Sequence, residues 1–135
     1  MNPIFLELAE VLEIHEDQIR RYGGSAGIRD LGLLQSALAM PAAGMAGSYF
    51  HRDLFEMAAA YLFHLVRNHP FVDGNKRVAA VSAMVFLSLN GLELEAPEAR
   101  FEALIFKTAS GKTDRRELAE FFRKYSTPVS PSPKS

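Results

Sequence analysis

An imidazole, a carboxylate, a Gly-Asn pair and two adjacent cations fall within nine consecutive residues, His69-Pro70-Phe71-Val72-Asp73-Gly74-Asn75-Lys76-Arg77. With an ordinary pKa of about 6.5, a histidine can take a proton from an incoming hydroxyl at neutral pH. Asp73 suits Mg²⁺, an ion that prefers one or two carboxylates together with substrate phosphates. Gly74 allows close backbone approach to an anion. Lys76 and Arg77 add charge, and the planar fork of Arg77 matches phosphate oxygens. A base, a metal ligand and an anion clamp together describe a phosphate-handling enzyme. The same residues also fit an ordinary helix exit, with Pro70 terminating, Phe71 anchoring, Asp73 to Asn75 turning and capping, and the cations solvated. Two cations in the first turn of a helix oppose its dipole by roughly 0.3–1 kcal/mol each, which a bound anion would offset. Composition alone leaves both readings open.

A catalytic loop needs rigid supports, and both flanks supply them. Upstream, Asp53 is a candidate cap for a helix through Leu54, Phe55, Met57, Ala58, Tyr61, Leu62, Leu65 and Val66. Downstream, residues 75–90 form a second helix with Val78, Val81, Met84, Val85, Phe86, Leu87 and Leu89, closed by Asn90-Gly91. Each is apolar on nearly every face, so both are expected inside a bundle. The start of the second presents unpaired backbone N–H groups and the positive end of its dipole.

Around this pair, residues 3–22 read as an amphipathic helix with Pro3 in its first turn and Gly23-Gly24 as its stop; His15 lies near the apolar stripe, which suits a histidine hydrogen-bonded in or beside the core, against the alternative of a site role. A glycine-punctuated link (residues 25–32) leads to a short helix ended by Pro41. Residues 42–51, small and irregular, suggest a mobile flap or short hairpin, against the alternative of an irregular core-covering loop. Leu92 to Ala96 alternates like an edge strand or extended link. A fifth helix opens at Pro97 with Phe101, Leu104, Ile105 and Ala109 inward. Asp114 and Glu117 resemble a capping box for a sixth, with Leu118, Phe121 and Phe122 on one side. The fold class is all-α. Residues 1–125 make one domain, and residues 126–135, rich in Pro and Ser, are expected to be a disordered tail.

The bulk numbers narrow the setting. With 135 residues and 48% hydrophobic composition, one domain with a real core is expected. A net charge of −1 gives no global pull towards nucleic acid or an anionic membrane. The absence of cysteine removes disulfides and thiolate chemistry and suits a reducing compartment. Glu7, Glu10 and Glu13 interrupt any secretory signal. The longest nearly apolar run, residues 78–89, is 12 residues against the roughly 20 that span a bilayer. A soluble, cytoplasmic domain is expected.

His69-Pro70-Phe71-x-Asp73-Gly74-Asn75-Lys76-Arg77 resembles the signature of the Fic/Doc superfamily, particularly of death-on-curing (Doc) toxins from toxin–antitoxin pairs. The resemblance runs from Phe5 to Tyr125 through Ile14-His15-Glu16, Tyr22-Gly23-Gly24, Gly27-Ile28-Arg29-Asp30 with Gly32-Leu33-Leu34, and Phe86-Leu87 with Asn90-Gly91. It implies a helical bundle around a central buried helix. It also implies that His69 is the general base, Asp73 the Mg²⁺ ligand, Gly74, Asn75, Lys76 and Arg77 the phosphate-binding loop, and Phe71 its buried anchor. Arg67, two residues before the histidine, matches a family arginine.

One departure bears on the chemistry. Adenylyl-transferring Fic enzymes resemble His-Pro-Phe-x-[Asp/Glu]-Gly-Asn-Gly-Arg-x-x-Arg, whereas here Lys76 replaces the second glycine and Ala80 the second arginine. Doc-type proteins share the lysine, and their likeness implies a reversed ATP that gives up its γ-phosphate to a hydroxyl, in Doc a threonine of elongation factor Tu, arresting translation. The inhibitory pattern [Ser/Thr]-x-x-x-Glu-[Gly/Asn] fails at Thr113 and Glu117, which Leu118 follows. A separate antitoxin is therefore implied, with no nucleic-acid or membrane partner. The alternatives are a Fic-type adenylyl transferase and a non-catalytic partner-binding module of the same fold.

Overall fold

A computed structural model describes residues 2–129. Within them six helices and two small antiparallel strand pairs occur, so the all-α expectation holds. The centre is α3 (Leu54–Asn68), which packs against α2 (Leu31–Ala39), α4 (Asn75–Leu89), α5 (Glu98–Ala109) and α6 (Arg115–Tyr125). Its start is fixed by Asp53, whose side chain accepts the Glu56 N–H at 2.8 Å. Residues 57 to 62 are all fully buried, and three consecutive alanines (Ala58, Ala59, Ala60) favour helix while letting neighbours approach closely. The Tyr61 hydroxyl accepts the Leu6 N–H at 2.9 Å, and burial pushes its pKa up to about 12.

The second helix of the pair differs from expectation. On α4 a single stripe is buried (Val78, Ala79, Ala83, Phe86, Leu87), while Met84 and Leu89 are exposed and Val81 and Val85 half-buried. It sits at the side of the bundle against α1 (Leu8–Tyr22), and its outward apolar residues line two surface clefts, one towards α1 and one towards α5. Only α3 is interior on most faces.

At the N-terminus, α1 begins at Leu8 and not near Pro3, because the Glu7 N–H is taken by the Glu10 side chain at 2.8 Å. Pro3 lies in an extended lead-in, where Ile4 pairs through both backbone groups with the Asn90 side chain at 2.8 and 2.9 Å. Gly23, at φ +83°, ends α1 as expected. Residues 42–51 contain a hairpin. In it β1 (Gly44–Met45) pairs with β2 (Ser48–Tyr49) across Ala46 and Gly47, whose φ of +53° and +82° are those of a twist-matched two-residue turn.

Two expectations near the C-terminus are corrected. Ala109 is exposed, and the inward residue of that turn is Thr108, whose hydroxyl donates to Leu104 O at 2.8 Å. Ser126–Pro128 form β4, antiparallel to β3 (Leu92–Leu94), so the expected disordered tail does not begin at Ser126. Residues 130–135 of that tail lie outside the described residues. On α6, Asp114 accepts the Glu117 N–H at 2.9 Å, but the Glu117 carboxylate turns to Thr113 and Lys107, leaving half a capping box.

Candidate active site

The nine-residue loop joins the C-terminus of α3 to the N-terminus of α4, so two packed helices set both of its ends. Phe71 is fully buried and stacks on His15, ring centroids 3.9 Å apart and planes 10° from parallel. The same histidine donates from Nε2 to the Asp73 carbonyl at 2.9 Å. His15, itself buried, is thus the core histidine the periodicity suggests, and it braces the loop.

Asn75 is buried, and its amide closes the loop. Oδ1 accepts the Phe71 N–H and Nδ2 donates to the Phe71 carbonyl, each at 2.9 Å. With that side chain committed inward, what Asn75 offers an anion is its backbone N–H. Gly74, at φ +79°, caps α4 without a side chain, and Val78 is the first residue of the helix whose N–H bonds back, to Gly74 O at 2.9 Å. Among the described residues the N–H groups of Asn75, Lys76 and Arg77 have no acceptor, the donor set that binds anions at helix N-termini.

Asp73 is exposed, accepting the Ser25 N–H at Oδ2 (3.1 Å) and the Gly74 N–H at Oδ1 (2.8 Å). Those two bonds, helped by Arg77 and His15, hold its carboxyl below the usual range. Each oxygen keeps a lone pair for a cation. Among the described residues no three His, Asp or Glu side chains gather at one point, so a divalent ion here would lean on phosphate oxygens as well. Gly24, read from sequence as part of a helix stop and of the family pattern, leaves room for the Asp73 carboxylate beside it. A Cβ there would stand 2.5 Å from Asp73 Oδ2, at a φ of +115° that disfavours any side chain.

His69 is exposed and left-handed (φ +49°, ψ +55°), a conformation that costs a non-glycine residue roughly 1–2 kcal/mol. It borders a cavity of about 200 Å³ together with Asp73, Gly74, Asn75, Lys76 and Arg77. A second cavity of about 650 Å³ shares Lys76 and Arg77 and continues between α4 and α5 past Tyr22, Ala80, Met84 and Phe106. Lys76 Nζ lies 5.4 Å from the Phe106 ring centre. The Arg77 guanidinium donates to Gln18 O (3.3 Å) and Gly23 O (3.1 Å) at the end of α1, so its fork is engaged with backbone in this state.

A family model described as Fic/DOC family matches residues 5–87, more than half the chain and the whole of this loop. The chain belongs to the Fic/DOC family. The protein named Protein kinase doc, from Escherichia phage P1, is 34% identical over 116 residues, 85% of this chain and 90% of that protein. Toxin Doc of Mycolicibacterium smegmatis (strain ATCC 700084 / mc(2)155) is 47% identical over 75 residues, 56% of this chain; the match spans only 58% of that toxin.

Within this Fic/DOC fold the residues singled out from sequence do not all meet. His69, Asp73, Gly74, Asn75, Lys76 and Arg77 border one cavity, and Phe71 anchors beneath it. Arg67 does not join them. Its guanidinium donates to Thr108 O (3.4 Å) and Ala109 O (3.3 Å), capping α5 beside Gly111. Arg29, part of a segment the sequence marked without a role, donates to the carbonyl of His69, the C-cap of α3, at 2.6 Å and to that of Asn68, its last residue, at 2.9 Å. No local sequence signal identifies it, because its partners are 39 and 40 residues away.

Proposed function

We propose that this member of the Fic/DOC family is a Doc-like toxin that transfers the γ-phosphate of ATP to a hydroxyl, a threonine by preference, of a translation factor such as elongation factor Tu. The observation that carries the reading is the one cavity bordered by exposed His69, by Asp73 and by Asn75, Lys76 and Arg77, the three residues whose N–H groups are left unpaired at the helix N-terminus. Phosphoryl transfer asks little else of a protein, since positioning and charge stabilisation supply most of the rate. The N–H groups of Asn75, Lys76 and Arg77 would seat the phosphates. His69 would take the proton of the acceptor hydroxyl as its oxygen bonds to the γ-phosphorus and ADP departs. Asp73 would hold Mg²⁺, which when bound neutralises phosphate charge.

Lys76 and Ala80 favour this chemistry over AMP transfer. The lysine occupies the rim between the two cavities, and the small alanine leaves the larger one without the second arginine of adenylyl transferases. The larger, more apolar cavity, with Tyr22 and Phe106 on its walls, is the proposed seat of the nucleoside. A cognate antitoxin is the proposed brake, and the cytoplasm the proposed site of action. Among the described residues no helix is long and apolar enough to cross a membrane.

Incubating the protein and elongation factor Tu with ATP labelled at either the α- or the γ-phosphate tests the proposal. Label from γ alone is expected on the factor, lost by about 10²–10⁴ in rate in His69→Ala. Label from the α-phosphate would mean AMP transfer instead.

A further inference from the structure

The geometry points to Arg29 as the positioning residue that aims His69, an inference that rests on the catalytic role proposed above. Among the described residues the imidazole of His69 has no hydrogen-bond or ring partner of its own, so the direction of the ring follows from the backbone that carries it. That backbone sits in the left-handed region, at φ +49°, where a helix normally places glycine. Here a guanidinium stabilises the turn from outside. Arg29 Nε donates to the His69 carbonyl at 2.6 Å, and its Nη2 donates to the Asn68 carbonyl at 2.9 Å. Two consecutive carbonyls are thus spanned by one planar fork, a geometry arginine offers and lysine does not.

The segment carrying Arg29 is itself fixed to the loop. The N–H groups of Arg29 and Asp30 both donate to Pro70 O, at 2.7 and 3.0 Å, and Val72 N–H donates to Gly27 O at 3.0 Å. The clamp therefore cannot drift from the residue it holds. The phosphate seat is braced separately, by the Asn75 amide on Phe71 and by His15 on Asp73. Removing the Arg29 fork should then misdirect the base without emptying the seat. Substrate affinity and turnover are expected to part company.

Arg29→Ala and Arg29→Lys, read by two measurements, test this. The first, the ¹³Cα and ¹³C′ chemical shifts of His69, reports its backbone conformation and needs no activity. In Arg29→Ala these shifts should leave the left-handed range, and in Arg29→Lys they should move part of the way. The second compares turnover with ATP affinity. Turnover should fall by up to about 10²-fold, as for other small misplacements of a reacting group, with the dissociation constant for ATP unchanged. Unmoved shifts in both variants would overturn the clamp, and moved shifts with undiminished turnover would overturn its positioning role. If the wild type transfers no phosphate at all, the kinase reading fails and the shifts alone judge the clamp. Should Arg29→Ala not fold, Arg29→Lys keeps the charge at the end of α3 and is read in the same way.

Discussion

At the scale of single residues, His69 carries a conflict between stability and work. An exposed histidine in the left-handed region adds nothing to the core, and glycine would adopt that backbone without strain. His69→Gly is therefore expected to raise stability by about 1 kcal/mol in urea unfolding while abolishing transfer; a destabilised variant would mean that the imidazole makes contacts this structure lacks. That His69, Asp73 and Lys76 border one cavity was legible in the sequence because they lie within eight residues of one loop. The roles of Asn75, Arg67 and Arg77 were less so. Asn75 spends its amide on Phe71, Arg67 caps α5, and the Arg77 fork lies on the end of α1. Those partners are set by how the chain closes in space, which residue type does not reveal.

At the scale of elements, the loop is only as stiff as its braces. Asn75→Ala removes both partners of the buried Phe71 backbone, and each polar group left unsatisfied costs about 1–3 kcal/mol. A loss of at least about 2 kcal/mol in denaturant unfolding is expected, and a loss too small to measure would mean the loop is held by other contacts. A second test lies on α3, where burial, with help from Arg115 and His51, lowers the His64 pKa to about 4. Above pH about 6.5 the imidazole is neutral in both folded and unfolded chains and its titration leaves stability unaffected. Below that the unfolded chain takes up the proton first. Stability should fall with pH between about 6.5 and about 4 and then level off for this group. His64→Gln should flatten that slope in urea unfolding followed across the window, and an unchanged slope would assign it to other groups. Element type was readable from apolar period and caps, as at Asp53 and Asp114. The α1 start was missed because Phe5 and Leu6 keep a helix-like apolar spacing while packing from an extended segment.

At the scale of the whole molecule, α3 is the spine and the loop at its end is where two helices and the segment around Arg29 converge. That the bundle is helical followed from the apolar period, which placed two helices inside; the single central buried helix was what the family resemblance implied. The pairing of Ser126–Pro128 with Leu92–Leu94 did not, because backbone hydrogen bonds across more than 30 residues form it, and the Pro-Ser composition hides it. The most direct test of the account is a crystal structure of the protein with Mg²⁺ and a non-hydrolysable ATP analogue. The phosphate chain is predicted to lie on the N–H groups of Asn75, Lys76 and Arg77, with the terminal phosphate nearest His69 and the base between α4 and α5. Phosphates bound elsewhere, or an α-phosphate nearest that imidazole, would contradict it.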